Sequence, residues 1–182
     1  MSAGLQKPQP VPGVIWITGY SASGKTTVAR KVESRLRAYG LRTVFLDGDD
    51  LRSIFGNKWG YTREERVELA HVYFRLCSHL VSQGSTVVIA AIAMYKEVSK
   101  WMHTNIPNAV EVFLNVPEDE RRLRDTSTKK VYERMGDINL SYDKPRKSVY
   151  LKYKKHTVEI ATIITKLIEY NDMNKKPWKD WS

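Results

Sequence analysis

The chain has 182 residues, is 42% hydrophobic and 27% charged, and carries a formal net charge of +10 at pH 7. That length suits one globular domain with a real core, and no apolar run approaches the ~20 residues of a membrane span. A single cysteine, Cys77, excludes an internal disulfide and suits a reducing cytosol, so a cytoplasmic protein with no membrane partner is expected.

The positive charge fits either nucleic acid or an enzyme whose substrates are all anions. Basic residues cluster at Arg121–Arg134, Lys144–Lys155 and Lys175–Lys179. No basic strand interleaved with aromatics marks an RNA-binding sheet, so nucleic acid is not expected as the partner. Residues 1–12 hold Lys7 and three prolines without an apolar stretch, and read as a flexible leader rather than a signal peptide.

Val14-Ile15-Trp16-Ile17-Thr18 is a short apolar run, expected as a buried strand. Directly after it comes Gly19-Tyr20-Ser21-Ala22-Ser23-Gly24-Lys25-Thr26, which spells G-x-x-x-x-G-K-[ST]. Its glycines let successive backbone N–H groups converge on a phosphate; Lys25 reaches the β- and γ-phosphates and the Thr26 hydroxyl ligates Mg²⁺. Gly19, Ser21, Ala22, Ser23, Gly24, Lys25, Thr26 and Thr27 are therefore the candidate nucleotide-binding residues, with ATP and Mg²⁺ as the expected co-substrate and ion. Val28, Ala29, Val32, Leu36 and Tyr39 then recur at helical spacing, and Gly40 stands where a helix ends.

Thr43–Asp47 is expected as a second strand, ending in Asp47-Gly48-Asp49-Asp50-Leu51-Arg52. Thr62 and Glu65 form a capping box at the start of a long, mostly buried helix that Gly84 ends. Cys77 falls inside that helix among apolar neighbours and is expected to be an inert buried thiol. Thr86–Ile92 is continuous enough for a central parallel strand. A helix around Lys96–Met102, a strand over Ala109–Val116 and a helix opened by Pro117 follow. Val149–Tyr153 is a short fifth strand, and Thr157 caps a last helix. Alternating strands and helices predict an α/β fold of three layers, a five-stranded parallel sheet flanked by helices. The domain is expected over residues 13–171, with a lid segment around 121–145 and a polar, basic tail over 172–182. Ligands belong at the carboxyl ends of the strands, where the carboxylates Asp47 and Asp49 stand. Arg52 lies one helical turn from Asp49, so both can face one pocket.

On these motifs the chain resembles the adenylylsulfate kinases over about residues 13–171. The family's L-D-G-D-N-x-R is matched by Leu46-Asp47-Gly48-Asp49-Asp50-Leu51-Arg52, with Asp50 for Asn. Its glycine–aromatic–Ser/Thr step and D-R-x-x-N correspond to Gly60-Tyr61-Thr62 and Glu65-Arg66-Val67-Glu68-Leu69. Its I-S-P-Y corresponds to Ile92-Ala93-Met94-Tyr95, and its R-D-P-K-G-L-Y lid to Arg124-Asp125, two extra residues, then Lys129-Lys130-Val131-Tyr132. The resemblance implies a phosphotransferase that moves the γ-phosphate of ATP to a hydroxyl of adenylylsulfate.

By the same resemblance Asp49 is the base, Asp47 holds the metal or its water, and Lys25 is catalytic. Arg124 and Lys129 close over the nucleotide. Asp49, Arg52, Tyr61, Arg66, Leu69, Ile92, Ala93, Tyr95 and Leu140 line the acceptor side, with Arg66 on the acceptor's charged group. Four positions depart from the family pattern there: Leu69 for Asn, Ala93 for Ser, and Tyr61 and Leu140 for the two phenylalanines that clamp the adenine. The expected partner is thus a small anionic substrate bearing a hydroxyl, with a homodimer as candidate assembly. Two other readings stand beside it: a kinase for another nucleotide conjugate or phosphorylated metabolite, and a nucleotide- or nucleic-acid-binding module.

Overall fold

The computed structural model describes residues 13–56, 58–126, 142–145 and 149–152. In chain order the elements are β1 (Val14–Thr18), α1 (Lys25–Ala38), β2 (Thr43–Asp47), α2 (Gly48–Ile54), α3 (Arg63–Ser82), β3 (Thr86–Ala90), α4 (Lys96–Asn105), β4 (Val110–Asn115), α5 (Glu118–Thr126) and β5 (Val149–Lys152). The five strands form one sheet in the order β2-β3-β1-β4-β5. Every neighbouring pair is parallel. The expected strand Thr86–Ile92 is shorter in the structure, because Ala91 and Ile92 leave the ladder to build the loop before α4.

The central strands β1 and β3 are buried at all five positions, whereas the edge strand β2 is half-buried throughout. Two apolar clusters lie on the two sides of the sheet. One gathers Val14, Trp16, Val87 and Ile89 with Phe74, Cys77 and Val98 of α3 and α4. The other gathers Ile15, Ile17, Val88 and Val112 with Val28, Val32 and Leu36 of α1. The alternation of β1 thus feeds odd and even residues to opposite helical layers.

Trp16 is fully buried and meets Phe74 edge-on at 4.9 Å. Burying an indole of this size is worth roughly 4–6 kcal/mol in transfer free energy. Its N–H, which burial would otherwise strand, donates to the Ala91 carbonyl at 3.0 Å. That bond fixes the exit of β3 against the sheet.

Local signals explain the helix ends. The Thr62 side chain accepts from the Glu65 N–H and the Glu65 carboxylate accepts in return from the Thr62 N–H, so α3 opens on a full capping box. These Thr62 bonds hold the Glu65 carboxyl below its ordinary range. Gly40 and Gly84 follow α1 and α3 in left-handed conformations, φ +84° and +82°. Tyr39, placed by its spacing on the apolar stripe of α1, is instead 61% exposed, because the helix ends one residue earlier and its stripe ends at Leu36. Cys77 is buried and burial pushes its thiol up to about 12, so it is chemically inert.

Candidate active site

The loop between β1 and α1 folds as its motif requires. Gly24 sits at φ +88°, a conformation that disfavours any side chain, and serves as the N-cap of α1. A Cβ on Gly19 would lie 2.8 Å from Ser23 Oγ and 3.0 Å from the Leu114 carbonyl, so the loop folds back on itself only with glycine there. Ala22 is also left-handed, at φ 59°. The first turn of α1 has no acidic residue, and its positive end is left for an anion. Ser23 Oγ is buried without a partner among the described residues, as a donor kept for a phosphate oxygen would be. Lys25 Nζ donates to the Tyr20 carbonyl of the same loop at 2.9 Å.

Two arginines of α5 stand behind this loop. Arg124 Nη1 lies 3.8 Å from where a Cβ on Gly24 would be. Arg121 is buried, donates from Nε to the Val116 carbonyl at 3.1 Å, and places its guanidinium 4.6 Å from the Tyr20 ring centre. Sequence spacing reads Arg121 and Arg122 as cations balancing a helix end. Both instead lie mid-helix in α5, whose last turn holds Arg124: the exposed Arg122 pairs with Glu118 one turn earlier, and Arg121 braces the phosphate loop.

At the end of β2 the Asp47 carboxylate is divided between two donors. Oδ2 accepts from the Thr26 hydroxyl at 2.7 Å, and Oδ1 accepts from the Asp49 N–H at 2.9 Å. Asp47 thereby joins the phosphate loop to the first turn of α2. Asp49 and Asp50 are exposed on that turn. Gly48, between Asp47 and Asp49, is tightly enclosed: a Cβ would sit 3.1 Å from Ala91 Cβ and 3.3 Å from the Ala90 carbonyl.

The acceptor side is a lattice of arginines and tyrosines. Arg52 shares one turn of α2 with Asp49, as expected, but its Nη2 donates to the carbonyls of Trp59 and of Gly60, the latter at 2.9 Å. It therefore holds the loop before α3. The Tyr61 ring, half-exposed, has the Arg52 guanidinium 4.6 Å and the Arg66 guanidinium 5.1 Å from its centre. Arg66 Nη1 donates to the Tyr142 hydroxyl at 2.8 Å, while its buried Nε has no partner among the described residues. Tyr142 meets Tyr20 at 6.1 Å and Tyr95 at 5.8 Å between ring centres. Burial pushes the Tyr142 phenol up to about 12 and raises that of Tyr95, so both are neutral and carry a proton to donate.

Tyr142 is held there by its neighbour. The Asp143 carboxylate accepts from the Lys96 N–H at 3.0 Å and from Arg63 Nη2 at 2.9 Å, while its own N–H donates to the Met94 carbonyl at 2.8 Å. The Tyr95 side chain does not cap α4; Asp143 caps it from 47 residues away. The Lys96 N–H, then Arg63, holds the Asp143 carboxyl below its ordinary range.

Of the other acceptor-side candidates, Leu69 and Ala93 are in the apolar core at 4% and 1% exposure. Leu69 is drawn inward because its place on α3 faces the sheet, so here it is a packing residue. Ile92 is half-buried and Tyr95 buried. Lys129 and Leu140, the last helix from Thr157, the leader and the tail lie outside the described residues. Arg121 and Tyr142 have no motif of their own; only their place inside the expected lid segment around 121–145 hinted at them.

A sequence profile of the adenylylsulphate kinase family matches residues 11–149. The adenylyl-sulfate kinase of Picosynechococcus sp. is 34% identical over 126 residues, 68% of this chain and 70% of that protein. The cytidine diphosphoramidate kinase of Campylobacter jejuni is 27% identical over 140 residues, 74% of this chain and 82% of that protein. Among solved structures, the Mycobacterium tuberculosis APS kinase in complex with AMPPNP and APS superposes with a TM-score of 0.77 at 27% identity, over 88% of this chain and 99% of that one. A phosphate loop, a carboxylate-bearing strand end and the profile match together lead to one assignment: the chain belongs to the adenylylsulphate kinase family and is an ATP-dependent phosphotransferase acting on a hydroxyl.

Proposed function

We propose that the chain phosphorylates a sugar hydroxyl of a nucleotide conjugate, with adenylylsulfate as the first acceptor and 3′-phosphoadenylylsulfate as product. The observation that carries this reading is the Thr26–Asp47–Asp49 connection, which sets a carboxylate beside the phosphate loop. Asp49 takes the proton of the acceptor hydroxyl, whose oxygen attacks the γ-phosphorus. The bond from that phosphorus to the β–γ bridging oxygen breaks, and ADP leaves. The loop N–H groups and Lys25 hold the phosphates, and Arg124 covers them. Mg²⁺ suits the adjacent oxygens of Thr26 and Asp47, both hard donors. When bound it would neutralise phosphate charge. Arg66, through an Nε with no partner among the described residues, is the donor for the acceptor's anionic group, and Tyr61 offers a face for its base.

A second acceptor, cytidine diphosphoramidate, is favoured by Tyr142. Its ring already stands between Tyr20 and Tyr95 and so narrows the space for a two-ring base. The relative from C. jejuni supports the same idea by its name. ADP release measured with adenylylsulfate, with cytidine diphosphoramidate and with no acceptor tests both. Release driven by adenylylsulfate supports the first reading; release driven only by the cytidine compound supports the second. Equal release in all three defeats both.

A further inference from the structure

We infer that Tyr73 is a positioning residue for the catalytic turn Asp47-Gly48-Asp49. It lies on α3, one helical turn beyond Leu69, and is 6% exposed. Its hydroxyl donates to the Gly48 carbonyl at 3.0 Å, across 25 residues of sequence. Its ring stacks on Phe55 at 6.2 Å with 22° between planes, and Phe55 closes the end of α2. One side chain thus holds α2 at its first carbonyl and at its last turn.

The other sides of the turn are fixed independently. Asp47 holds the Asp49 N–H, and Ala90 and Ala91 crowd the Gly48 Cα. Without Tyr73 the Gly48 peptide keeps those contacts but loses its tie to α3. A phenylalanine would satisfy the packing against Phe55, so packing alone does not account for the hydroxyl. A buried hydroxyl needs a partner, and the partner here is the peptide between the two site aspartates. Burial pushes the phenol up to about 12, in the field of Arg52, Asp49, Asp47 and Arg66, so it remains a donor throughout the neutral range. Tyr73 touches no reacting atom; it acts through Asp49, and the inference rests on Asp49 being the base.

The test is a double-mutant cycle of Tyr73→Phe and Asp49→Asn, with kcat, KM for ATP and ATP affinity measured for each protein. Tyr73→Phe is expected to lower kcat by about tenfold while KM for ATP stays within about twofold, the pattern of a lost transition-state interaction. In the Asp49→Asn background the same change is expected to cost less than about twofold, because the group it positions is gone. An unchanged kcat in Tyr73→Phe overturns the inference. So does a tenfold loss that persists in the Asp49→Asn background, since the hydroxyl then acts elsewhere. Failure of Tyr73→Phe to bind ATP also overturns it, by assigning the hydroxyl to folding. A normal kcat in Asp49→Asn alone is a different failure: it removes the base assignment itself.

Discussion

Asp47 offers a way to separate what the site does for folding from what it does for chemistry. Its carboxylate caps α2 through the Asp49 N–H and accepts the Thr26 hydroxyl. Asp47→Ala removes both. A lost N-cap costs ~1 kcal/mol. A lost bond to a charged acceptor costs ~1.5–3 kcal/mol, and the half-buried position puts it at the lower end. The expected destabilisation is about 2–3 kcal/mol, or roughly 4–12 °C in Tm for a chain of this size. Asp47→Asn keeps an oxygen for the Asp49 N–H and turns an amide donor to the Thr26 hydroxyl. It is expected to cost about 1 kcal/mol or less, since Asn caps as well as Asp. Both variants should nevertheless lose about 10²-fold in kcat, because neither presents a carboxylate beside Thr26. Urea denaturation reads the first quantity and ADP release across a Mg²⁺ titration reads the second. Equal destabilisation by Asn and Ala would refute the capping argument. Near-normal turnover by Asp47→Asn would refute the metal-side role.

Three further outcomes are expected. Lys25→Ala should fold and lose all but a few per cent of turnover, since it removes the mobile cation that follows the γ-phosphate; a tenth or more of the wild-type rate means another catalytic site. Asp49→Asn should lower kcat by ~10²–10⁴ with nucleotide affinity little changed, and a near-normal value moves the base to Asp47. Asp143→Asn should lower the thermal midpoint at neutral pH. The folded carboxyl titrates below its unfolded value, so its contribution is complete above about pH 4 and fades as pH falls through the lower folded value. The wild-type and variant midpoints should therefore converge in acid; a constant gap down to pH 2 counts against the capping role.

What the sequence disclosed follows from which interactions are local. The phosphate loop, the Thr62 capping box and Gly84 are set by residues at most a few positions apart, and the β/α alternation follows from short apolar runs. The contacts that shape the acceptor side have no such signature. Arg66 meets Tyr142 across 76 residues, Trp16 meets Ala91 across 75, and Tyr73 meets Gly48 across 25. No periodicity announces which side chains such distances bring together. Arg52 shows the other limit. Its helical spacing from Asp49 was legible, but the carbonyls of Trp59 and Gly60 that claim its donors were not. Leu69 was read both from a motif position and as part of the mostly buried helix from Thr62, and its place in the core follows the second reading.

The bond from Lys25 to its own loop's carbonyl makes the protein a competitor for its own lysine. An incoming phosphate must displace an acceptor only five residues away, whose local concentration no dilution lowers. When the γ-phosphoryl group has moved on, the Tyr20 carbonyl stands ready to reclaim the cation. On the role proposed for Lys25, the same contact competes with ATP and with ADP alike.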